Sequence, residues 1–177
     1  MTDYSEWLDQ LLIQLGHCGP LGQATLQFIV ERGVKVKVHD QPTGARWTLT
    51  GNIQLHPRYF ELEPDDPYPI SLVIHEVRHL KQGFFTALSV YGELDAWQIQ
   101  FSFIKSLSGQ YHRNAGKDKI LGDLMSLDLD WDRRTLARAR GLMRSYAGSA
   151  YRVDLLPLYP LPREILFIVT RQRPPQL

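Results

Sequence analysis

The sequence predicts an α+β fold, with a small antiparallel sheet packed on a central helix and further helices. Three observations carry this. VKVKVHD, from Val34, alternates valine with lysine, as a half-buried strand does. ARWTLTGNIQLHP, from Ala45, alternates again and then turns back at Gly51-Asn52, giving two more strands. Beyond Pro67 the apolar residues recur mainly at helical spacing.

Taken in order, Trp7, Leu8, Leu11, Leu12 and Leu15 share one face of a first helix, which Gly16 can end. A second helix runs from about Pro20 to Arg32, with proline suited to its first turn and Gly33 as its stop. The three strands follow. Residues 57–69 are rich in proline, acids and aromatics and read as a loop. Asp66 followed by Pro67 is a plausible helix start. Helices are expected over about 67–82, 86–108, 117–128 and 132–147. The tail has prolines at 157, 160 and 162 and then EILFIVT. It is expected to be extended, with one edge strand, and to cover core; the rival reading is a built-in inhibitor. No domain boundary is evident, so 1–177 reads as one domain. Its core is about 34–107, its helical part 110–150 and its tail 151–177.

Composition excludes several classes. With 20 basic and 19 acidic residues the net charge is +1, so nothing favours nucleic acid or an anionic membrane surface. Cys18 is the only cysteine, which rules out an internal disulfide and a cysteine zinc cage. No apolar stretch is long enough to span a bilayer, and the opening MTDYSEWLDQLLIQLG lacks the basic start of a signal peptide. A cytoplasmic location is the expectation.

The chemistry is concentrated in SLVIHEVRHLKQG, residues 71–83. Residues four apart on a helix lie one turn apart on the same side, so His75 and His79 aim their rings at a common point. Glu76 is rotated about 100° round the helix, too far for a natural ligand but able to reach a water held there. Ile70, Val73, Val77 and Leu80 form the opposite, core-facing side, so the histidine side is expected to open to a cleft. A two-histidine site needs a third protein ligand. Glu93 shares a mostly apolar stripe with Ala96, Trp97, Gln100, Ile104 and Leu107, whereas Asp95 falls with Gln98, Ser102 and Ser106 on what reads as the solvent side. An inward-facing carboxylate needs a partner or a metal. Arg78 is the alternative partner for Glu93.

HEVRH followed by ExxA on the next helix resembles the zincin metallopeptidases of the gluzincin type, particularly the compact, minimal gluzincins. The resemblance covers about Val34 to Leu107. It implies a zincin-like fold, with His75, His79 and Glu93 as Zn²⁺ ligands and Glu76 as general base and acid. It further implies that Ile53 to His56 is an edge strand that aligns an extended peptide. The oxyanion-steadying residue of larger gluzincins has no clear match here; Tyr111, His112 and Tyr146 are the right types, and nothing selects among them.

The expected function is therefore a zinc-dependent metallopeptidase acting on a peptide or protein substrate. The alternative is a non-catalytic zinc-binding regulatory or interaction protein. His17 beside Cys18, and His39 and His56 at strand ends, read as surface or packing residues.

Overall fold

The computed structural model describes residues 4–148 and 151–170. They are mostly helical with one small sheet, an α+β class. The chain divides into two compact units, Met1–Leu80 and Lys81–Leu177.

In the first unit, helix α1 (Ser5–His17) buries Leu11 and Leu15 and continues through Gly16 rather than ending there. Helix α2 (Gly19–Arg32) packs on it. The close approach depends on Gly22, where a Cβ would lie 2.1 Å from the carbonyl oxygen of Leu15. Gly33 ends α2 at φ +60°, a left-handed position glycine adopts without strain, and the Val34 N–H closes the cap on Ile29 O at 2.9 Å.

The strands are β1 (Val36–Val38), β2 (Ala45–Trp47) and β3 (Ile53–Leu55), in the order β1-β3-β2. β2 and β3 form the expected antiparallel pair, with Trp47 opposite Ile53. β1, however, runs parallel to β3, with Val36 opposite Ile53 and Val38 opposite Leu55. The sheet is mixed, not antiparallel. Alternation fixes which face a side chain takes, not which strand lies alongside. Ile53–Leu55 is thereby the central strand, both edges already hydrogen-bonded, and is not available to align a peptide. Ile53 and Leu55 are fully buried.

A 3-10 turn (Pro57–Glu61) leads to helix α3 (Pro67–Gln82). Asp66 starts α3 by accepting the Tyr68 N–H at 2.8 Å. Burial is nearly all-round: Pro69 to Val77 and His79 are all buried. The side expected to open to a cleft is thus covered. The division between the units falls in the last turn of α3, leaving Lys81 and Gln82 in the second.

The second unit comprises α4 (Phe84–Ala87), α5 (Val90–Ser108), α6 (Ala115–Met125), α7 (Arg133–Ala147) and α8 (Leu161–Thr170). The helix expected over 86–108 is broken, because Ser89 is extended and caps α5 through its hydroxyl, which accepts the Gly92 N–H at 3.0 Å. Asn114 and Asp132 cap α6 and α7 in the same way. Leu94, Trp97, Phe101, Leu121, Leu124, Leu136 and Met143 form the core.

The tail departs from expectation. Val153, Leu158 and Tyr159 are buried, as a core-covering segment requires, but EILFIVT belongs to helix α8 and not to an edge strand. Pro162 sits in the first turn, where a missing N–H costs nothing, and the Pro160 carbonyl accepts from the N–H groups of Arg163 and Glu164. α8 lays Phe167 on Tyr159 and Arg163 over Trp131, leaving Ile165, Leu166, Ile168 and Val169 exposed. Among the described residues no helix is long and apolar enough to cross a membrane.

Candidate metal centre

His75 and His79 sit one turn apart on α3 with their Nε2 atoms 2.9 Å from each other and their rings nearly perpendicular, at 79°. Their exposures are 6% and 2%, and that of Glu76 is 5%. Removing two imidazoles and a carboxylate from water is unfavourable unless other groups or an ion compensate.

His75, His79 and Glu93 each offer one ligand atom, and these atoms all lie within 4.8 Å of one another. The group could hold a metal ion. Glu76, expected from the sequence to act on a proton, is not among those ligand atoms.

Glu93 lies in the first turn of α5, and this turn is held from three directions within the second unit. Gln82, in the last turn of α3, donates from Nε2 to the Gly92 carbonyl at 2.9 Å and to Asp95 Oδ2 at 2.6 Å. The tail supplies the second constraint: the Val90 N–H donates to Pro157 O at 2.9 Å and the Tyr91 N–H to Leu158 O at 3.1 Å, satisfying otherwise orphaned helix-start donors. The third is Gly92, where a Cβ would lie 2.0 Å from the Thr86 carbonyl oxygen, so only glycine allows α4 and α5 to meet as they do.

Asp95 is only 7% exposed, not on a solvent side. The stripe it shares with Ser102 and Ser106 is exposed further along, but at this end of α5 Gln82 covers it.

The three residues of oxyanion-steadying type have other partners. The Tyr111 hydroxyl meets Lys105 Nζ at 3.2 Å, and Lys105 is about 18 Å along α5 from Glu93. Tyr146 packs its ring on Trp97 and Phe101, with His112 against its other side. Partial burial, then the Lys117 charge, hold His112 below the ordinary histidine range, with Asp118 pulling the other way. The hydroxyl that does reach Glu93 belongs to Tyr151, which donates to Glu93 Oε2 and accepts from Trp97 Nε1 at 2.8 Å. Sequence reasoning missed Tyr151 because it is 58 residues away in a proline-rich segment. The signal available was the aromatic content of that segment next to Trp97's stripe.

Comparison of the chain with family models, with curated proteins and with solved structures found no match.

The other groups singled out in the sequence lie elsewhere. Burial, with Asp65 nearby, pushes the Cys18 thiol up. His56 Nδ1 accepts the Arg58 N–H at 3.0 Å to cap the 3-10 turn, and its Nε2 is 3.4 Å from Asp40. His17 and His39 are exposed.

Proposed function

We propose that the protein is a zinc-dependent metallopeptidase of the zincin type, with His75, His79 and Glu93 as ligands and Glu76 as general base and acid. The observation that carries this is the gathering of two buried imidazoles and the half-buried Glu93 carboxylate within 4.8 Å, with the buried Glu76 carboxylate directly after the first histidine. Two histidines and a carboxylate are a known donor set for catalytic zinc and leave one position open.

The spacing fits. Tetrahedral zinc with bonds of about 2.0–2.1 Å sets its ligand atoms about 3.3–3.4 Å apart. The histidine pair, at 2.9 Å, would open slightly. When bound, zinc supplies Lewis acidity and acidifies a water. Glu76 would accept a proton from the attacking water and return it to the leaving amine.

A non-catalytic zinc-binding protein is the second reading, favoured by the low exposure of His75 and His79. Glu76 discriminates, since a structural site has no use for it. Under the peptidase reading, Glu76→Gln retains one zinc per chain by elemental analysis and cleaves an unfolded protein substrate about 10²–10⁴-fold more slowly. Equal cleavage by Glu76→Gln and the parent would reject the assignment, and a zinc-replete parent that cleaves no peptide in a broad library would favour the second reading.

A further inference from the structure

The Tyr151 hydroxyl donates to Glu93 Oε2, and Tyr151 comes from the segment after α7 rather than from the helices that carry the motif. We infer that Tyr151 is a positioning residue for the metal centre: its hydroxyl orients the Glu93 carboxylate, so metal affinity depends on the C-terminal segment. This rests on the metal-binding reading above and deepens it.

Three observations support the assignment. First, the hydroxyl is directed as well as bonded. It accepts from Trp97 Nε1 at 2.8 Å and therefore turns its own hydrogen towards Glu93 Oε2. A carboxylate with one oxygen taken in this way presents the other oxygen in a fixed direction. Second, the ring is itself fixed. Tyr151 packs on the Trp97 ring at 5.4 Å between centroids, and Trp97 is 4% exposed and held on its other side by Phe101 and Tyr146. Third, Trp97 lies one turn beyond Glu93 on α5, so the donor to Tyr151 and the carboxylate it serves are set by one rigid helix. The order Trp97 to Tyr151 to Glu93 is a hydrogen-bonded relay that fixes a candidate ligand from behind. Outer partners of this kind typically govern metal affinity as strongly as 10–100-fold.

The test uses the full chain as parent, Tyr151→Phe, Trp97→Phe and Glu93→Ala. Zn²⁺ affinity is measured by competition with a chromophoric chelator, and the d–d absorption spectrum is recorded with Co²⁺ at saturation. Tyr151→Phe keeps the ring and removes the hydroxyl. It is expected to bind Zn²⁺ about 10–100-fold more weakly and to show an altered Co²⁺ spectrum, because a released carboxylate changes the ligand field. Trp97→Phe, which removes only the donor behind the hydroxyl, is expected to weaken binding in the same direction by less, and stands in should Tyr151→Phe not fold. If Glu93→Ala weakens binding while Tyr151→Phe retains the parent's affinity and spectrum, the positioning role is overturned and the metal centre stands. Weaker binding with an unchanged saturated spectrum would also overturn it, since loss of fold stability alone gives that result. A parent that binds neither ion overturns the metal centre itself.

Discussion

Replacing Gln82 by alanine tests whether the last turn of α3 holds the turn that carries Glu93. Gln82 Nε2 makes two hydrogen bonds, to the Gly92 carbonyl at 2.9 Å and to the buried Asp95 carboxylate at 2.6 Å. A neutral bond contributes about 1 kcal/mol and one to a charged group about 1.5–3 kcal/mol, so the loss is about 2.5–4 kcal/mol. At a urea slope of about 2 kcal/mol per molar, the midpoint should fall by roughly 1–2 M. Urea unfolding of the metal-free protein, followed by tryptophan emission in the presence of chelator, reads this directly. Asp95→Asn is the control, because an amide oxygen still accepts and only the charge is lost; it should cost less than Gln82→Ala. The two changes combined should be clearly non-additive, as for residues in one contact. A change within about 0.5 kcal/mol for Gln82→Ala would refute the reasoning, because that is the range of surface substitutions away from any such contact.

Three further outcomes follow from the same geometry. Ending the chain at Gly148 removes Val153, Leu158 and Tyr159 from the core and the carbonyls that receive the Val90 and Tyr91 N–H groups; the shortened protein should lose its cooperative thermal transition, whereas a soluble, more active product would restore the inhibitor reading of the tail. Gly92→Ala drives a methyl against the Thr86 carbonyl and should lower both thermal stability and zinc affinity, measured by calorimetry and by chelator competition; an unchanged melting point would mean that α4 and α5 separate freely. Asp132 caps α7, and hydrogen bonds from the Thr135 N–H and hydroxyl hold its carboxyl below the usual range. Its contribution to stability is complete above its unfolded value near pH 3.9 and fades as pH falls through the lower folded value, so Asp132→Asn should melt with a flatter pH dependence below about pH 4; identical acid profiles would count against this.

The parts of the molecule legible in the sequence are those governed by local rules. α3 runs over the residues that the Asp66 start and the helical spacing mark, and Gly33 ends α2 by the left-handed turn that glycine permits. The meeting of His75 and His79 was readable because residues four apart lie on one side of a helix. What was not legible depends on distant partners. The valine–lysine alternation of β1 is the same whether its neighbour runs parallel or antiparallel. Asp95 sits on a stripe that is polar by composition, yet it is buried and accepts a hydrogen bond from Gln82. EILFIVT has the β-branched content of a strand, yet the Pro160 carbonyl and the first-turn Pro162 start a helix there. Tyr151 lies in a different segment from its acceptor, and no spacing rule links them.

The most direct measurement is X-ray absorption at the zinc edge on the parent and on Glu93→Ala, each first stripped of metal and then reloaded with one equivalent. Two imidazole nitrogens with light-atom oxygen neighbours at about 2.0–2.2 Å are expected in the parent, with the outgoing imidazole scattering retained and the oxygen shell changed in the variant. Zinc that fails to load, or that gives the same spectrum with and without the Glu93 carboxylate, would contradict a centre built from these three residues.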